Sequence, residues 1–168
     1  KAKVLVPRNA ATNKKVTASS EESNKGNLSK NATDGNPATR WCAANGASGS
    51  WLQVDLGQKQ DIQNIRIIWE KTNSAYQYKI EGSIDKKQWK LLVDQSKNKD
   101  VRQITPHKVN AKNTRYFKVT FLGSKPACWG SLWEFEAYEG NLPDLPRKVV
   151  KSSQKSANVT PKTNEPRI

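Results

Sequence analysis

Apolar positions along this chain recur at every second residue, in short runs. "WLQVDLG" alternates over residues 51–56 and stops at Gly57. "DIQNIRIIWE" carries Ile62, Ile65, Ile67 and Trp69, and "YQYKIEGS" sets Tyr76, Tyr78 and Ile80 on one face. "QWKLLVD", "QITPHKVN", "RYFKVTFLG" and "WGSLWEFEAYEG" complete the series. Each run is rich in β-branched or aromatic residues and is bounded by Asn, Gly, Asp, Ser or Lys, the mark of strands joined by turns. "IDKKQW" has the composition of such a turn. No helix-period segment of useful length competes. Seven or eight short strands with turn signals about every ten residues predict an all-β antiparallel sandwich or barrel. Trp41, Trp51, Trp69 and Trp89 lie in or beside strands and are expected in the core.

Outside residues 8–140 the pattern fades. "NLPDLPRKVVKSSQKSANVTPKTNEPRI" is rich in Pro, Ser, Lys and Asn and has no apolar period, so residues 141–168 read as a basic linker or tail. Residues 1–15 read as a basic lead partly packed on the domain, in which "KVLVP" could pair as a short strand. The net charge is +14 over 168 residues, but residues 16–139 hold 18 basic and 13 acidic groups, a net of only +5. Most of the excess therefore sits on the ends, where it would attract any polyanion without specifying one. With no initiator Met and no signal-peptide pattern at its start, the chain reads as a mature protein or a piece of a longer one. Cys42 and Cys128 stand 86 residues apart, a spacing that fits no zinc or redox motif. In an exported protein a disulfide is the natural reading, and closing so long a loop is worth about 4–5 kcal/mol on the chain-entropy model. In a cytosolic protein the pair would be two buried thiols.

Catalytic chemistry finds little support. His107 is the only histidine and falls inside a strand pattern. No Ser or Cys lies in a nucleophile-elbow context, and no phosphate-cradling glycine loop is present. Glu21, Glu22, Glu70 and Glu134 are available, yet nothing marks two of them as an acid–base pair. The dense polar turn "NATDGNPATRWC" is a better lead. Asp34, Asn36 and Thr39 offer hard oxygens within six residues, and a turn at Gly35 lets carbonyls point inward. Calcium asks for six to eight such oxygens, so a further carboxylate must come from elsewhere.

"ATDGNPATRWCA", "SWLQVDLGQKQDIQNIRIIWE", "YKIEGSIDKKQWK", "TRYFKVTFLG" and "WGSLWEFEAYEG" follow one another in the order and spacing of a coagulation-factor C-type (discoidin) domain. Within that family the chain most resembles family 32 carbohydrate-binding modules, over about residues 8–140. The resemblance implies an eight-stranded jelly-roll β-sandwich with one structural Ca2+. Its ligands would be carbonyls of Asn31, Asn36 and Trp133, the Asp34 carboxylate, the Thr39 carbonyl and hydroxyl, and the Glu134 carboxylate. The Trp133 position often holds a smaller residue in the family, but only its carbonyl is required. The resemblance also implies a ligand site on the loops beside the metal. There Trp129 would be a stacking platform, and Arg40 and Glu70 would make charge-assisted hydrogen bonds, joined by Glu22, Asn45 or Lys71. Each has a purely structural alternative: Arg40 as an ion-pair partner of Glu70 or Glu22, Trp129 packed on a disulfide. Galactose-binding members carry a His in the first ligand loop, and "WCAANGAS" has none.

The expected function is a non-catalytic carbohydrate-binding module, a monomeric unit that targets a secreted multidomain protein to a polysaccharide. Glu22 and Glu70 around Arg40 point to amino sugars; the basic balance points to uronic or sulfated ones. The alternative is a cell-surface or membrane adhesion domain that binds anionic lipid or protein. The loops "CAANGASGS" and "EKTNSA" lack the large apolar tips that such a domain presses into lipid, which disfavours it. Nucleic acid is not expected, since charge alone would support it.

Overall fold

A computed structural model describes residues 6–145. It contains seven strands, β1 (Lys15–Ala18), β2 (Trp41–Cys42), β3 (Trp51–Trp69), β4 (Ala75–Ser83), β5 (Lys90–Asp94), β6 (Ile104–Lys125) and β7 (Ser131–Tyr138), with two short 3-10 turns at Ser23–Lys25 and Ser29–Thr33. Every pairing is antiparallel.

Two strands are much longer than the sequence pattern suggests. "WLQVDLG" and "DIQNIRIIWE" run on as one strand, β3, and "QITPHKVN" and "RYFKVTFLG" as another, β6. Their mutual register shifts between Asp55 and Asn64, where Gly57 has φ +83° and Asn110 and Asn113 also take positive φ. Bulges of this kind bend a strand sharply, so each long strand serves both layers of a sandwich. The first part of β3 lies between β1 and the second part of β6, which continues to β4 and β5. The second part of β3 lies between β7 and the first part of β6, with β2 beyond β7. Counted by layer there are five strands and four, an antiparallel β-sandwich as expected, with the two-residue β2 making one strand more than the eight expected.

Alternation places the core as predicted. Leu52, Val54, Leu56, Ile62, Ile65, Ile67, Tyr76, Tyr78 and Ile80 are all buried. Of the four tryptophans expected there, Trp41 and Trp69 are buried, but Trp51 and Trp89 are only half-buried. Trp89 lies on the outer face of the sheet, where the ammonium of Lys118 from β6 is 4.3 Å from its ring centre. The β4–β5 turn is the one read from "IDKKQW": Ser83 Oγ accepts from the Asp85 and Lys86 amides, and Asp85 Oδ1 from the Lys87 and Gln88 amides. His107 is a half-buried strand residue whose Nε2 lies 2.6 Å from the Tyr78 hydroxyl, and burial lowers its pKa.

The polar face of β3 departs from expectation in its second part. Arg66 is 5% exposed. Its Nε and Nη2 donate to the Glu136 carboxylate at 2.8 and 2.9 Å, and Nη1 to the Pro143 carbonyl at 2.6 Å. Asn64 Nδ2 donates to the Gly140 carbonyl. The segment after β7 therefore packs on the sheet, and the domain continues past Gly140 at least to Pro143. At the other terminus Asn9 Oδ1 accepts from the Ala137 amide and the Ala10 amide donates to the Ala137 carbonyl, which ties residues 9 and 10 to β7. "KVLVP" and the tail beyond residue 145 fall largely outside the described residues.

Candidate functional site

The loops at one end of the sandwich gather side chains from three distant parts of the chain, and Ser131 joins them. It opens β7 opposite Cys42. Its Oγ donates to the Trp41 carbonyl at 2.8 Å and accepts from Arg40 Nη1 at 3.3 Å, while its carbonyl accepts from the Glu70 amide at 3.1 Å. Arg40 and Glu70 are thereby held side by side, with Nη2 and Oε1 3.5 Å apart, and Lys71 Nζ is 3.5 Å from the same Oε1. Behind Glu70 is a rigid floor. Trp69 stacks on Tyr76 at 4.3 Å and meets Tyr78 at 4.8 Å, its Nε1 donates to Thr105 Oγ1, and the Tyr76 hydroxyl accepts from the Lys71 amide. The Arg40 guanidinium also sits 5.8 Å from the centre of the Trp133 ring. Sequence reasoning assigned Trp133 only a carbonyl and missed Ser131; neither residue type carries a signal for such a contact.

Trp129 is 45% exposed. One flank of its indole lies against Gly46, where an added Cβ would come within 2.8 Å of Cδ1. Asn45 shapes that loop by accepting from the Ala47 amide at 2.9 Å. Glu22 stands apart from the Arg40–Glu70 pair: Lys25 Nζ lies 2.8 Å from its Oε1 and Asn27 Nδ2 donates to its Oε2. Its hydrogen bond with Lys25 holds its carboxyl below the usual range. Arg40 therefore pairs with Glu70 rather than Glu22.

The expected disulfide is not formed; Cys42 and Cys128 are free thiols. The two face different neighbours. Cys42 is buried in β2 near Glu22 and Ser131, and burial together with Glu22 pushes its thiol up to about 11, an inert state at neutral pH. Cys128 Sγ lies 3.1 Å from Ser124 Oγ, which also accepts from the Cys128 amide. Ser124 thus turns the loop, and Trp129 projects outward instead of packing on a bridge.

Beside this end, the polar turn closes on the last strand. Asp34 Oδ1 accepts from the Asn36 amide at 2.9 Å, Oδ2 accepts from Thr39 Oγ1 at 2.6 Å, and Asn36 Oδ1 accepts from the Ala38 amide at 2.9 Å. Gly35 takes φ +70° to make the turn. Asn31 spends its side chain on the Gly26 and Arg40 carbonyls. Glu134 arrives from β7 and is 7% exposed, with Oε1 lacking any hydrogen-bond partner. Burial, and then the facing Asp34, push its carboxyl up to about 9. A buried carboxylate facing a half-buried one, with no basic side chain paired to either among the described residues, fits a cation. Among the described residues no three His, Cys, Asp or Glu side chains converge. A cation here would draw mainly on carbonyls and a hydroxyl, which suit calcium better than zinc.

A sequence profile of the F5/8 type C domain matches residues 15–135. No curated protein sequence matches the chain. Chitosan-binding module 1 of a chitosanase/glucanase from Paenibacillus sp. IK-5 is similar in structure, with TM-score 0.69 and 31% identity over 78% of this chain and 98% of the module. Module 2 of the same enzyme, in complex with chitotriose, gives TM-score 0.68 and 34% identity over 77% of this chain and 99% of that one. The CBM32 of AlyQ, in complex with 4,5-unsaturated mannuronic acid, gives TM-score 0.64 and 25% identity over 75% and 95% of the two chains.

Proposed function

Because the chain belongs to the F5/8 type C domain family, we propose that it is a non-catalytic carbohydrate-binding module that tethers a larger, exported protein to a polysaccharide. The observation that carries this reading is the exposed Trp129 indole on the loop end where Arg40, Glu70 and Lys71 converge. A flat apolar face beside a few charged groups is what a sugar ring needs, the face for its C–H groups and the charges for its hydroxyls. Tethering raises local substrate concentration without any chemistry of its own. Two features point to an amino sugar: Glu70 offers a carboxylate at the same loop end, and the two similar Paenibacillus modules are chitosan-binding. Arg40 and Lys71 favour an acidic sugar instead, as does the likeness to the AlyQ module. Calorimetry with chitotriose (free-amine and N-acetylated) and with oligomannuronate, at low and physiological salt, decides between them. Saturable binding of either that survives 150 mM salt supports the module; attraction that vanishes with salt would reduce it to bulk charge. Anionic vesicles should not sediment the protein, and no helix among the described residues is long and apolar enough to cross a membrane.

Gly46 provides a finer test of the platform. Gly46→Ala places a methyl group against the indole and should weaken sugar binding roughly tenfold, the equivalent of ~1.4 kcal/mol of overpacking. The melting temperature should hardly move, since the loop is exposed. Unchanged affinity would mean that Trp129 need not hold its present position.

Calcium belongs to the same proposal. Carbonyls of Asn31, Asn36 and Trp133, the Thr39 carbonyl and hydroxyl, and the Asp34 and Glu134 carboxylates would hold it. Its work there is structural: it would pin the turn at residues 31–39 to β7, and so fix the neighbouring Arg40. The pH dependence follows from Glu134. Its carboxyl is raised in the fold without metal, so the native state holds a proton that the unfolded chain has released. Stability without metal is then highest below the ordinary glutamate pKa and falls as pH rises toward about 9. In chelator, the melting temperature should drop between pH 5 and 8; in millimolar calcium that decline should vanish. Glu134→Gln should melt higher than the parent in chelator at pH 8 and lose its calcium response. A melting temperature indifferent to both chelator and calcium would remove the metal from the account.

A further inference from the structure

We propose that the groove beside the Trp129 site is a second subsite, which takes a carboxylate- or sulfate-bearing sugar residue of the same polysaccharide chain; this rests on the carbohydrate-binding reading above. The groove has a volume of about 520 Å³ and is lined chiefly by Lys97, Lys99, Lys125, Val101, Ala75 and Gln77. That volume lies in the range of small-molecule sites.

The groove lies at the ends of two strands that run into the loops of the first site. Ala75 and Lys125 are partners in the β4–β6 ladder. Ala75 lies four residues after Lys71, and Lys125 four residues before Trp129. The two loops that build the platform and its charges thus flow directly into the groove, so one extended chain can reach both.

The lysines are presented by an anchored loop. Asn98 lies between Lys97 and Lys99 and is stapled to β4: its Nδ2 donates to the Tyr76 carbonyl at 2.9 Å, and its own carbonyl accepts from Gln77 Nε2 at 2.8 Å. Asn98 Oδ1 also accepts from the Asp100 amide, and the Gln95 amide donates to the Tyr78 carbonyl. Tyr76 belongs to the aromatic floor behind Glu70, so loop and first site share one support.

Charge selects the occupant. Lys97, Lys99 and Lys125 are exposed, and none forms an ion pair among the described residues. No carboxylate lines the groove. Asp94 and Asp100 are the nearby acids; Asp94 accepts from the Ser96 amide at 3.0 Å and Lys97 contributes to holding its carboxyl low. Val101, 55% exposed, adds an apolar surface for the ring of a sugar whose acid group meets the ammoniums. A neutral or amino-sugar polymer would leave three cations unanswered, whereas a polymer with acidic residues would use them.

The test uses the full chain and three probes of equal length: N-acetylated chitotetraose, tetramannuronate and a sulfated tetrasaccharide. The variants are Lys97→Ala/Lys99→Ala/Lys125→Ala, Trp129→Ala, and the distal control Lys87→Ala/Lys90→Ala/Lys112→Ala, which removes the same charge elsewhere. The groove variant should weaken binding of at least one acidic probe tenfold or more, flatten its salt dependence and leave the neutral probe unchanged. Which acidic probe responds tells carboxylate from sulfate. Trp129→Ala should weaken every probe that binds. Acidic binding unchanged in the groove variant, or weakened equally by the distal control, overturns the subsite and leaves the Trp129 reading standing. Failure of the parent chain to bind any probe overturns that reading and the subsite with it.

Discussion

Replacing Arg66 with alanine is expected to lower the unfolding free energy by about 3–5 kcal/mol, the usual cost of removing one partner of a buried ion pair. Arg66 and Glu136 are bound through two hydrogen bonds at 2.8 and 2.9 Å across the β3–β7 pair, with side chains only 6% and 11% exposed. Without the guanidinium, Glu136 would keep the Tyr138 hydroxyl, which donates to Oε1 at 2.5 Å, but no positive charge. The Pro143 carbonyl would also lose its donor, and the segment after β7 its main clasp. Urea unfolding of Arg66→Ala measures the loss. The double variant Arg66→Met/Glu136→Leu should recover much of it, because it removes both charges and keeps the volume. A loss below about 1 kcal/mol would mean that the pair is solvated well enough to behave as a surface salt bridge. Folded Arg66→Ala protein should bind glycan normally, since the pair takes no part in the loop end.

Trp129→Ala is expected to show the opposite profile. Half of the indole faces solvent, so its removal should change stability by no more than ordinary surface substitutions do, within about 0.5 kcal/mol. Affinity for the preferred oligosaccharide should fall at least about 30-fold, the ~2 kcal/mol expected of an aromatic anchor at the centre of a binding site. Titration calorimetry on the same preparation used for thermal melting reads both quantities. Trp129→Phe keeps a flat face and should retain part of the affinity. If Trp129→Ala binds sugar as tightly as the parent, the glycan contacts some other surface; if it fails to fold, the indole is a packing residue. Taken together, the two substitutions separate what holds the sandwich from what the sandwich displays.

Tryptophan shows where sequence reading stops. Trp41, Trp69, Trp89 and Trp129 all lie near strand patterns or turn signals, yet two are buried, one lies under Lys118 on the outer face of the sheet, and one is exposed at the loop end. Periodicity assigns a face, but it does not tell whether another layer covers that face. The same limit explains Arg66. Its place in an alternating strand suggests solvent, and only the return of residues 140–143 across the sheet buries it. The cysteines differ for a related reason: a bridge depends on where two side chains point, and the local turn at Ser124 decides that for Cys128.

What the sequence determined by itself was most of the strand-forming runs and the turns between them. Alternation with a period of two and short Asn, Asp, Ser and Gly turns are local properties, written in neighbouring residues. The tertiary structure alone decided which distant residues meet: Arg40 with Glu70 through Ser131, Asp34 with Glu134, and Lys97 with Lys125 along one groove. Those meetings depend on the bends and register of the two long strands. One bulge shifts every later pairing, and no local pattern records its size.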